Sequence, residues 1–244
     1  MAMQTGMVSI GDAPQLPAYL AQPQGAGPFP AVLVLFEAFG LNENIKEITR
    51  RFAEAGFVGL APDLYYPEQE RVVPYGDMQK VFALANTLPD DRAMADIGRA
   101  IEYLKQQPNV KRDAIGVTGF CMGGRLAFLT ACVHAADVAA AVPFYGGGIG
   151  SPGRFSGQTM VPLDLADKIR CPMIVNYGEK DAFIPMEEVR RVEARLKELG
   201  KRAEVNVYPG ADHGYMCTDR ASYHPEAARE SWDRMIAFFR QHLQ

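Results

Sequence analysis

The chain has 244 residues, 48% of them hydrophobic and 22% charged, and a net charge of −4. That is enough apolar material to bury a large core without disulfide or metal support. The acidic balance gives no reason to expect nucleic acid or an anionic membrane as a partner.

Residues 1–20 (MAMQTGMVSIGDAPQLPAYL) lack both a basic region and a continuous apolar run, so they do not read as a signal peptide. AYLAQP (18–23) and PAVLVLFEA (30–38) are expected strands, the second apolar enough for a sheet covered on both faces. Residues 42–56 form an expected helix, with Ile45, Ile48, Phe52 and Ala55 on one side and Gly56 as its stop. FVGLAPDL (57–64) is the next strand. Residues 65–88 are irregular at first and helical from about Met78, and 90–107 make a long helix ended by Pro108. AIGV (114–117) reads as a buried strand and RLAFLTACVHAA (125–136) as a helix. Strand VAAAVPFY, a glycine-rich loop (146–158), strand CPMIVNYG and helix 186–200 follow. Strand AEVNVYP and helix 225–243 close the chain. The alternation predicts one α/β domain over 1–244, a mostly parallel central sheet with helices on both faces.

The apolar tract from about Ala127 to Ile149 is interrupted by His134, Asp137 and Pro143 and is no membrane span. Cys121, Cys132, Cys171 and Cys217 are irregularly spaced, with no Cys-x-x-Cys pair, which argues against zinc and disulfides and suits a reducing cytoplasm. Four histidines make an all-protein metal cluster an unpromising reading.

Chemistry in an open α/β sheet belongs beyond the carboxyl ends of its strands, and three candidates fall there. Cys121 sits in VTGFCMGG, a glycine–x–nucleophile–x–glycine frame between a strand and a helix, the context of a nucleophile elbow. Asp181 follows strand MIVNYG and His213 follows strand VNVYP. A cysteine attacks as thiolate, which a helix N-terminus and an imidazolium favour. The histidine would then protonate the leaving group, and the aspartate would fix its tautomer. Gly119 and Gly123 are expected to relieve crowding at the turn. The ordinary alternatives are a core cysteine, a loop histidine and a solvated aspartate; Cys132 and Cys171 fit the first. Asp164 and Asp167 precede their strand, and Asp212 adjoins His213 in sequence, so Asp181 is favoured among the acids. The order nucleophile, acid, histidine is that of α/β-hydrolases.

Taken together, LFEAFG, GFCMGGRLAF, YGEKDAFIP and GADHGY resemble the dienelactone hydrolase family over nearly the whole chain. The resemblance implies an α/β-hydrolase fold and a cofactor-independent, carboxymethylenebutenolidase-like hydrolysis of small esters or lactones. It gives Glu37 a place beside the thiol, where substrate binding lets its carboxylate promote thiolate formation. It also implies an oxyanion hole from the backbone N–H groups of Met122 and Ala38. The best-known members hold a substrate carboxylate with two arginines. Here one matching position is Cys217, and the other segment, DMQKVFALAN, has no arginine; Arg220 and Arg71 are the nearby substitutes. Phe39, Tyr145 and Tyr215 are expected to shape an apolar pocket. A monomer or small homo-oligomer acting on a small molecule is expected. Two other readings stay open: a catalytically weak ligand-binding relative, and a redox-responsive thiol protein pairing Cys121 with Cys217.

Overall fold

The structure, a computed structural model, describes residues 3–243. Among these, eight strands form one sheet. In chain order they are β1 (Met3–Ile10), β2 (Leu16–Pro23), β3 (Phe29–Leu35), β4 (Val58–Pro62), β5 (Val110–Phe120), β6 (Ala140–Phe144), β7 (Met173–Gly178) and β8 (Ala203–Tyr208). Their spatial order is β1-β2-β4-β3-β5-β6-β7-β8. The β1–β2 and β2–β4 pairs are antiparallel, and every pair from β4 through β8 is parallel.

The connections supply helices α1 (Glu43–Glu54), α2 (Met78–Ala85), α3 (Asp90–Gln106), α4 (Met122–Val133), α5 (Met186–Glu198) and α6 (Pro225–Leu243). The central strands are apolar because both faces are covered. Ala31 through Leu35 of β3 have no exposed surface. On one face Phe52 of α1 packs against Trp232 and Phe239 of α6, and Thr118 of β5 donates to Met235 Sδ of α6. Gly119, the next residue of β5, faces the other way, onto α4. Alternation along a strand therefore assigns α6 and α4 to opposite faces. This is the α/β-hydrolase fold that the resemblance implied, with the mostly parallel sheet that the alternation of elements predicted.

Three boundaries differ from the expectation. β1 (MQTGMVSI) was not foreseen: it is an exposed edge strand without an apolar run, and it is held by its pairing with β2. β3 ends at Leu35 rather than Ala38, so Phe36–Phe39 leave the ladder as a turn at the carboxyl edge of the sheet. A 3-10 helix, Pro162–Lys168, lies in the stretch between the glycine-rich loop and β7 to which no element was assigned.

Candidate active site

Cys121 stands between the end of β5 and the first residue of α4, with φ 55° and ψ −117°. Left-handed backbone at a cysteine is strained, and the surroundings hold it there. Its N–H donates to the Phe144 carbonyl at 3.1 Å, and its own carbonyl accepts from Gly124 and Arg125 at 3.0 and 3.2 Å. Gly123 lets the turn close: a Cβ there would lie 2.3 Å from the Leu35 carbonyl oxygen. That close approach brings the start of α4 against the turn after β3. Neither the Ala38 nor the Met122 N–H finds a protein acceptor among the described residues. Both residues line one cleft with Cys121. The lack of an acceptor at Met122 is inherent in a first helical turn.

His213 and Asp181 come from the loops after β8 and β7. His213 Nδ1 donates to Asp181 Oδ2 at 2.8 Å, and Asp181 Oδ1 accepts from the N–H groups of Phe183 and Ile184 at 2.8 and 3.2 Å. The carboxylate is thereby fixed and the ring held in one tautomer. Tyr145 and Phe183 meet the imidazole edge-on at 5.2 and 5.1 Å. Burial opposes charge on this ring, but the Cys121 sulfur and the Asp181 carboxylate outweigh it and push its pKa up to about 10. Asp212 instead accepts from the His213 backbone N–H at 2.6 Å.

Glu37 is fully buried. Its Oε1 meets Arg220 Nη1 at 3.0 Å, and its Oε2 accepts from the Tyr75 hydroxyl at 3.2 Å. Cys217 is also buried, and its thiol donates to the same hydroxyl at 3.2 Å. Burial raises the Cys217 pKa, and the nearby Glu37 charge adds to that effect. Gly214, at φ 79°, leaves the space Arg220 needs, since a Cβ there would stand 2.2 Å from Nη1.

The cleft has a volume of about 100 Å³. Phe39 and Arg220 are among the residues that line it. Tyr145 and Tyr215 do not: both are buried, and they pack edge-on against each other at 5.2 Å, behind the imidazole. Arg71 is not part of the lining either, since it pairs with Asp63 at 2.9 Å. The sequence reading missed Arg154, Phe155 and Gln158, which reach the cleft from the glycine-rich loop after β6. It also missed Phe183 and Ile184. Nothing in those segments distinguishes them from ordinary loops except two phenylalanines where water-facing residues are usual. Cys132 and Cys171 are core residues whose thiol pKa values burial pushes up to about 12 and about 11. Among the described residues no three His, Cys, Asp or Glu side chains converge as a metal site requires.

The family model for the dienelactone hydrolase family matches residues 16–243. The chain belongs to the dienelactone hydrolase family. A Yersinia pestis member named "putative carboxymethylenebutenolidase" is 36% identical over 98% of this chain and 88% of its own length. A Bradyrhizobium member named "probable 2-oxo-3-(5-oxofuran-2-ylidene)propanoate lactonase" is 34% identical over 93% of this chain and 89% of its own. The crystal structure of a Klebsiella pneumoniae protein described as a "putative dienelactone hydrolase" superposes with a TM-score of 0.91 at 35% identity, covering 99% of this chain and 100% of that one. This dienelactone hydrolase family member is thus a hydrolase. No described helix is long and apolar enough to cross a membrane.

Proposed function

We propose that this enzyme hydrolyses small carboxylic esters or lactones through Cys121, His213 and Asp181, by way of an acyl-thioester. The observation that carries the reading is the convergence, in one cleft, of a cysteine on a strained elbow with an imidazole locked to a buried carboxylate. The names carried by the relatives supply the substrate class.

The Cys121 sulfur, its proton given to His213, attacks the carbonyl carbon. The oxygen takes up negative charge beside the Ala38 and Met122 N–H groups, and such donors contribute a few kcal/mol to a transition state. As the C–O bond breaks, His213 returns the proton to the departing alkoxide or enolate. Water then gives a proton to His213 and attacks the thioester, which releases the acid and the thiolate. Because thiolate is itself a good leaving group, esters of acidic alcohols and enol lactones are favoured over amides. Glu37 serves as the carboxylate that promotes thiolate formation once substrate disturbs its pairing with Arg220 and Tyr75.

Four free cysteines and a thiol nucleophile support a reducing, cytoplasmic setting. The test is a panel of aryl esters and enol lactones, with and without a carboxylate, run against the native protein and Cys121→Ala. Turnover that vanishes in the alanine variant is expected; equal turnover in both overturns the assignment.

A further inference from the structure

The cleft is unusually apolar. Seven large hydrophobic side chains are substantially exposed among the described residues, and three of them, Met78, Phe82 and Phe183, line this one cleft at 43%, 41% and 43% exposure. Concentrating water-facing apolar groups at a concavity marks a binding surface rather than random exposure. The pattern of α2 explains how they are presented. Met78, Val81 and Phe82 stand at i, i+3 and i+4, one face of the helix, and all three line the cleft. Phe155, from the loop after β6, meets Phe82 edge-on at 5.4 Å and joins that face to the opposite wall.

We propose that the α2 face and Phe155 form an acyl subsite and that the preferred substrate carries a medium-length alkyl acyl group. The inference rests on the ester-hydrolase reading above. His213 protonates the departing alcohol, so the alcohol lies on the imidazole side, where Phe183 touches the ring. Met78, Phe82 and Phe155 reach the same cleft from α2 and the loop after β6, and the two phenylalanines pair with each other rather than with the imidazole, so the acyl chain is assigned to them. The cleft volume of about 100 Å³ sets the size. A cavity of roughly 150 Å³ accommodates a benzene ring, so the cleft takes about four heavy atoms beyond the carbonyl carbon before a longer chain emerges into water.

The experiment is a series of p-nitrophenyl esters from acetate to decanoate, which holds the leaving group constant. With about 0.8 kcal/mol for each methylene fully buried, kcat/KM is expected to rise two- to fourfold per methylene up to about pentanoate and then level off. Phe82→Ser, at a half-exposed position, is expected to cut the hexanoate-to-acetate ratio about tenfold. Val133→Ser, equally exposed at the far end of α4, leaves the ratio as it is. A flat series in the native protein, or an unchanged ratio in Phe82→Ser, overturns the subsite while leaving the hydrolase reading intact. Heptan-2-one, which cannot be cleaved, separates the two claims from the other direction. The subsite requires ligand-observed NMR to show it bound to Cys121→Ala, and bound about tenfold more weakly when Phe82→Ser is added. Binding without any ester turnover in the native protein would overturn the chemistry alone, and no binding would overturn the subsite.

Discussion

At the scale of single residues, the imidazole is the most informative group. His213 is buried, yet the Cys121 sulfur and the Asp181 carboxylate keep its proton far above the usual histidine range, up to about pH 10. A raised pKa means that the charged form persists as pH rises and disappears only above that value. The capacity to protonate a leaving alkoxide, and with it kcat/KM, is therefore expected to decline on an alkaline limb near pH 10. Asp181→Asn removes the carboxylate's share of that effect. It should move that limb to lower pH and lower kcat by about 10²- to 10⁴-fold, the range usual for impaired general acid–base catalysis. An unmoved limb, measured across pH 6–11, would show that the carboxylate does not set the proton affinity. The positions of Cys121, Asp181 and His213 were legible because each follows a strand end. The partners of Glu37 were not. Tyr75 and Arg220 lie 38 and 183 residues away and reach it from loops without a periodic pattern.

The elbow shows what elements contribute beyond single side chains. β5 and α4 meet at a turn so tight that Gly123 abuts the Leu35 carbonyl. Gly123→Ala forces either α4 away from β3 or a severe clash, with an expected loss of about 3 kcal/mol or more in urea-induced unfolding. A midpoint equal to that of the native protein would mean that the turn has slack. The strands of the parallel core were readable because burial on both faces leaves continuous apolar runs. β1 was not, because an edge strand owes its existence to its neighbour's backbone groups rather than to its own pattern. The early end of β3 was equally hidden. PAVLVLFEA stays apolar past Leu35, and only the packing of α4 turns the backbone out of the ladder.

Across the whole molecule, one buried ion pair ties the elbow helix to the cleft wall. Arg125 of α4 has no exposed surface. It binds both oxygens of Asp90 at the start of α3, at 2.5 and 2.9 Å, and donates to the Met160 and Gly148 carbonyls at 2.6 and 3.3 Å. Asp90 also accepts from the Met160 N–H at 2.9 Å. The loop that carries Arg154, Phe155 and Gln158 is thus clamped at both ends to α4, the helix that Cys121 precedes. Arg125→Met strands Asp90 as an unpaired buried charge and is expected to cost about 3–5 kcal/mol, read by chemical denaturation. A loss below about 1 kcal/mol would show that the clamp bears little weight. Sequence alone gave no hint of it, since an arginine after a glycine pair reads as solvated.

The proposed mechanism rests on one sulfur atom, and its covalent state is the decisive measurement. Native protein mixed with an activated ester and quenched in acid within milliseconds should gain the mass of one acyl group, and peptide mapping should place that group on Cys121. Cys121→Ala should gain none. An acyl group on another residue, or rapid turnover with Cys121 never modified, would contradict the mechanism proposed for this enzyme.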